Sequence, residues 1–249
     1  MIRIAQVGAV ATLTLEDSAA LSRHDIAAAL QLRDAVRDTA DDDTVKAIVL
    51  RVAGRNFAAA PAADALRAAA QVRRDQRPAW FAAYAAPSGL YQTLAYCKKV
   101  TVTAVQGHCA GAGSLLLLCT DHSVCASDSH FDAPFDLLPE SSLVLAALTL
   151  RLNRAKSWML GGEAWSAAQA LQAGLVNRVV AADEVDACAL AAAQAAARTP
   201  LDGVAMSKLL LEAFLDTQGV GQDFDMAGFH ADAMQLAMSD SAGSAGGLV

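Results

Sequence analysis

The run Thr101-Val102-Thr103-Ala104-Val105 passes through Gln106-Gly107-His108-Cys109-Ala110-Gly111-Ala112-Gly113 into the apolar stretch Ser114-Leu115-Leu116-Leu117-Leu118. A β-branched run that ends in three glycines within seven positions and then turns apolar reads as a buried strand, a small-residue turn and a buried helix. Such a unit needs partners on both faces, so the chain has to build a layered α/β core. The turn also carries chemistry. Its backbone can approach a ligand closely, and the first N–H groups of the helix are unpaired. That suits an anion, or an oxygen that gains charge during a reaction. Close helix-on-strand packing without a ligand explains the same glycines. A dinucleotide loop does not, because Gly107, Gly111 and Gly113 run G-x-x-x-G-x-G where that loop needs G-x-G-x-x-G.

The rest of the chain repeats the alternation of β-branched runs with alanine-rich stretches. Strands are expected at Ile2–Leu15, Ala47–Val52, Val100–Val105, His122–Ala126 and Val176–Val180, and helices at Asp25–Thr39 and Ser141–Met159. From Val185 onward the signals are almost purely helical (Val185–Ala197, Pro200–Leu215, Met226–Met238), and the small, polar tail Ser239–Val249 is expected to fray. Residues 1–184 therefore read as the core and 185–249 as a helical cap, whose Phe214, Phe224, Phe229 and Leu236 call for a packing partner. With 249 residues, 55% apolar and 18% charged, the chain can fill a large core and is no disordered polymer. A net charge of −7 argues against a nucleic-acid binder. No apolar stretch approaches the roughly 20 residues of a membrane-spanning helix. The five cysteines lack CxxC spacing, so no metal is expected and a reducing cytoplasm is the simplest setting. The N-terminus alternates apolar and threonine residues and reads as a strand, with no export signal.

A second segment matches the first in kind. Val45–Val52 is a strong strand, and Gly54-Arg55-Asn56-Phe57-Ala58-Ala59-Ala60-Pro61-Ala62-Ala63-Asp64-Ala65-Leu66 follows it as a small-residue turn running into a helix. Two such turns can aim two backbone N–H groups at one oxygen. The run from Val45 to Leu66 resembles the first signature of the crotonase (enoyl-CoA hydratase/isomerase) superfamily, and Ala104 to Asp121 resembles the second. Gly161-Gly162-Glu163 with Ala167–Val180 resembles the third, and Ser207-Lys208 is also typical. The resemblance runs in order along nearly the whole chain.

This resemblance implies a spiral of ββα units with C-terminal helices that build trimers or dimers of trimers. It also implies an acyl-CoA thioester as substrate and no cofactor beyond the CoA of that substrate. Two backbone N–H groups would hold the thioester oxygen as an enolate forms. Matched residue by residue, one donor falls on Ala112, beside Gly111. The other falls on Pro61, which has no N–H, so Ala62 or Ala60 donates instead or half of the hole is missing. Ala58, Asp64 and Leu66 line the same turn. The two glutamates of the family's hydratases fall on Leu115 and Phe135, so hydration by that pair is not expected. Some family isomerases carry one base in a Pro-Glu segment, which Pro134–Ser142 resembles with a loop about three residues shorter; the base is then Glu140, or Asp136 if the register shifts. Glu140 also fits a plain role beside Pro139 at a helix start. Arg23 and Lys208 are candidates for the CoA phosphates.

The expected activity is thus the shift of a 3-enoyl-CoA to a 2-enoyl-CoA. A fold that keeps acyl-CoA binding without catalysis is the alternative, and Pro61, Leu115 and Phe135 speak for it. Asp132 reads as a turn residue, His108 as a structural or surface histidine with pocket lining as the alternative, and Asp121 as a helix cap or a partner of the backbone. Ser114 lies outside any G-x-S-x-G elbow and is no hydrolase nucleophile.

Overall fold

The computed structural model describes residues 1–21, 25–59, 76–132, 143–162 and 164–245. The N-terminal residues form two strands, β1 (Ile2–Val7) and β2 (Val10–Leu15), where one long strand was expected. Gly8, with φ +60, starts a two-residue turn that pairs Val7 with Val10, the glycine-first geometry of tight hairpins. Helix α1 (Ile26–Asp41) begins at Asp25, whose carboxylate accepts the Ala28 N–H at 3.0 Å. Strand β3 (Ala47–Val52) follows, then α2 (Arg77–Tyr84) and α3 (Leu90–Ala95), neither of which the sequence pattern announced. Next come β4 (Val100–Val105), β5 (His108–Cys109), the short α4 (Ala112–Leu116), which continues as a 3-10 turn, β6 (His122–Ala126) and β7 (His130–Phe131).

The single helix expected over Ser141–Met159 is two in its described part, α5 (Leu143–Leu150) and α6 (Leu152–Gly161). They break at Arg151, held at φ +61, and pack on each other so that Leu145, Ala146 and Leu150 are buried together with Ala155, Trp158 and Met159. After β8 (Trp165–Ser166) and α7 (Ala167–Ala173), the last strand β9 is only Arg178–Val180. Val176 was expected within it, but its N–H, like that of Leu175, bonds back to Ala170 O of α7. Three helices close the described chain: α8 (Val185–Ala197), α9 (Leu201–Thr217) and α10 (Val220–Ala245). The backbone of α10 stays helical to Ala245, through most of the tail expected to fray. It starts six residues before the expected Met226, because Val220, Phe224, Ala227 and Ala231 already bury one stripe.

The main sheet has the order β1-β2-β3-β4-β6-β9, antiparallel between β1 and β2 and parallel elsewhere. Both faces of its parallel part are covered, as such sheets require. One face (Val10, Ala47, Val49, Val102, Ala104, Val124) meets Val185, Ala189 and Ala193 of α8. That helix therefore lies on the sheet, although it falls after residue 184. Leu13, Ile48 and Leu50 point the other way, into the larger core with α1, α3 and α4. A second sheet, β5-β7-β8, stands beside the exit of β4. Among the described residues, no helix is long and apolar enough to cross a membrane.

Candidate active site

The two small-residue turns are laced together by backbone hydrogen bonds. Phe57 N–H donates to Gln106 O at 2.8 Å and Ala58 N–H to His108 O at 2.9 Å, so Ala58 pairs with Cys109 as an added strand residue. Asn56 Oδ1 accepts the His108 N–H at 3.0 Å. Two glycines make this approach possible. A Cβ on Gly107 (φ +58) would stand 2.1 Å from Arg55 O, and one on Gly113 would stand 2.5 Å from the Ala58 Cβ. The positive φ of Gly111, +57, lets the chain turn from β5 into α4.

A third segment, between β2 and α1, meets both turns. Ala59 N–H donates to Ser18 O at 2.8 Å, and Ala112 N–H donates to Leu21 O at 3.2 Å. The Ala112 N–H therefore points at an oxygen acceptor, which here is a carbonyl of the chain itself. Leu115, on the next turn, is fully buried and apolar. Cys109 is fully buried as well, and burial pushes its thiol far above the ordinary range, which removes it as a nucleophile.

The polar groups at this turn come from β5 and from the end of β7. Asp132 is tied to both ends of the turn: its N–H donates to Cys109 O at 2.9 Å, and its carbonyl lies 3.0 Å from Ser114 Oγ. The Ser114 hydroxyl is equally close to Cys109 O and donates to one carbonyl at a time. The Asp132 carboxylate Oδ2 lies 2.8 Å from His108 Nε2, with both side chains partly exposed. This pairing, between an expected turn residue and a histidine read as structural, surface or pocket-lining, was not legible in the sequence.

Lys208, expected at the CoA phosphates, reaches inward from α9 and pairs with Asp121 at 2.5 Å. Asp121 accepts two further hydrogen bonds from Thr101, from its N–H at 2.8 Å and its hydroxyl at 3.0 Å, and so ties α9 to the start of β4. A cavity of about 360 Å³ lies above this pair, lined by Leu118, Leu145, Leu211 and Phe214, at the far end of the helical segment that starts at Ala112. Arg23, Ala60, Pro61, Ala62, Asp64, Leu66, Phe135, Asp136 and Glu140 lie outside the described residues. Among the described residues, no group of three or more His, Cys, Asp or Glu side chains is placed to hold a metal ion.

The turn thus brings together the Ala112 N–H, donated to Leu21 O, and the ionisable side chains of His108 and Asp132. The family model described as enoyl-CoA hydratase/isomerase matches residues 6–236. A Mycobacterium tuberculosis protein named "Probable enoyl-CoA hydratase EchA12" is 31% identical over 214 residues, covering 78% of this chain and 73% of its own. Among solved structures, an enoyl-CoA hydratase/isomerase from Pseudoalteromonas atlantica superposes with TM-score 0.74 and 25% identity, covering 92% of this chain and 88% of its own. A monofunctional enoyl-CoA isomerase from M. smegmatis superposes with TM-score 0.68 over 86% of this chain and 93% of its own; at 23% identity that likeness is one of fold.

Proposed function

Because this chain belongs to the enoyl-CoA hydratase/isomerase family, within the crotonase superfamily, we propose that it is an enoyl-CoA isomerase that converts a 3-enoyl-CoA to the 2-enoyl-CoA. The observation that carries this reading is Leu115. At the position where the resemblance puts one carboxylate of a hydratase, the chain has a fully buried apolar side chain, so the water-activating pair is incomplete. Isomerisation needs only an oxyanion site and proton transfer beside the thioester. In this reading the thioester oxygen replaces Leu21 O at the Ala112 N–H. Glu140 takes the proton next to the thioester carbonyl, and the enolate oxygen is held as its charge grows. A second N–H donor from Ala60 or Ala62 completes the hole; losing one such donor costs about 10²–10³ in rate.

The remaining expectations follow the same reading. The exposed apolar residues of α9 and α10, with Leu210 at 68% and Phe229 at 69% exposure, support assembly into a trimer or a dimer of trimers. Five free thiols support a cytoplasmic setting.

The test is turnover of a 3-enoyl-CoA by the wild type and by Glu140→Gln. Loss of at least about 100-fold supports Glu140 as general base. An unchanged rate removes it from the mechanism. One observation favours a second reading, a non-catalytic acyl-CoA binder: the Ala112 N–H already has an acceptor within the chain. Binding of acyl-CoA without turnover is the result that reading predicts.

A further inference from the structure

With Leu115 apolar and buried, helix α4 offers no carboxylate at the position a second acid–base group would use. The end of β7 does. Asp132 is fixed by its backbone on both sides of the turn, to Cys109 O before it and to Ser114 Oγ after it, so its position follows that of Ala112 closely. His108 Nε2, 2.8 Å from Oδ2, sets the direction of the carboxylate. His108 is itself anchored, its N–H to Asn56 Oδ1 and its carbonyl to the Ala58 N–H. Among the described residues the second oxygen, Oδ1, has no hydrogen-bond partner. The Asp132 side chain is 35% exposed, open enough to exchange protons with solvent. A carboxylate held this way, with one oxygen uncommitted among the described residues, is placed to move a proton.

We propose that Asp132, oriented by His108 as a positioning residue, is a second proton-transfer group of this site and returns a solvent proton to the far end of the shifting double bond. The proposal rests on the enolate chemistry proposed above. Glu140 breaks the C2–H bond and keeps the proton, and the bond's electron pair enters a dienolate whose oxygen sits at the Ala112 N–H. Asp132, protonated from solvent, gives its proton to C4. The new C4–H bond takes a pair from the dienolate, and the double bond comes to rest between C2 and C3. Glu140 then releases its proton to solvent while Asp132 takes one up, so no proton is gained or lost overall.

The experiment converts a 3-enoyl-CoA in D2O and follows three signals by NMR: exchange at C2, deuterium at C4, and product formation. The wild type is expected to place solvent deuterium at C4. Asp132→Asn keeps the backbone contacts and is expected to lower product formation at least about 10-fold while C2 exchange continues. His108→Leu is expected to do the same, and His108→Gln, which keeps an N–H donor, to restore most of the rate. Thermal melting of each variant separates these effects from misfolding. Product formed by Asp132→Asn at the wild-type rate, or C4 carrying the substrate's own C2 proton, overturns the proposal. If the wild type shows no exchange at C2, the enolate reading itself fails; if exchange persists and Asp132 proves neutral, only the present proposal does.

Discussion

Gly113 and Ala58 sit so close that a methyl group on Gly113 would stand 2.5 Å from the Ala58 Cβ. The contact holds the start of α4 against the first turn, and the neighbour in the way is a short side chain on paired backbone, which cannot swing aside. Gly113→Ala is therefore expected to destabilise the fold by about 1–3 kcal/mol in urea unfolding, the usual cost of overpacking. Gly161→Ala is the control: among the described residues nothing lies within 4 Å of its Cβ position, and the change is expected to be neutral or to add about 0.4–1 kcal/mol. Equal effects at the two sites would contradict this account of the turn.

The ion pair between Lys208 and Asp121 predicts a coupled response. Its side chains are 10% and 25% exposed, so either one left alone would face a poorly solvated setting. Lys208→Met and Asp121→Asn are each expected to cost about 2–4 kcal/mol in urea unfolding, and the double variant clearly less than the sum. Additive losses would show that the two groups do not depend on each other.

Asp223, on α10, gives a pH dependence. Burial raises its carboxyl from 3.8 to about 6, against the opposing effect of the Val144 N–H that it accepts; among the described residues Oδ2 is buried with no partner. The folded state therefore holds this proton more tightly than the unfolded chain does. The group favours folding below about pH 4, and that contribution is lost as pH rises through about 6. Asp223→Asn, which keeps an acceptor for Val144, is expected to unfold about 1 kcal/mol later than the wild type at pH 7, after allowance for solvent screening, with the difference gone at pH 4. A gain of the same size at both pH values would assign the effect to packing.

Sequence reading located the parallel strands well, because Ala47–Val52 and Val100–Val105 are covered on both faces and read as continuous apolar or β-branched runs. Two local breaks in the backbone, at Arg151 and before Val176, were not legible. Arg151 breaks a helix without a glycine or proline to announce it, and Val176 leaves its expected strand to bond back to Ala170. The candidate site shows the same division. Glycine spacing gave the turn around Ala112, since it reflects local backbone needs. The Asp132–His108 pair depends on β5 and β7 meeting in a second sheet, and Lys208 turns inward to an aspartate 87 positions away. No local pattern encodes either contact.

The most direct measurement exposes the wild-type protein to a 3-enoyl-CoA and records the ultraviolet absorbance of the conjugated 2-enoyl thioester, with the binding isotherm of a saturated acyl-CoA taken on the same preparation. An oxyanion site at Ala112 served by a working base predicts saturable binding together with catalytic accumulation of the conjugated product. Saturable binding with a flat absorbance trace would contradict it.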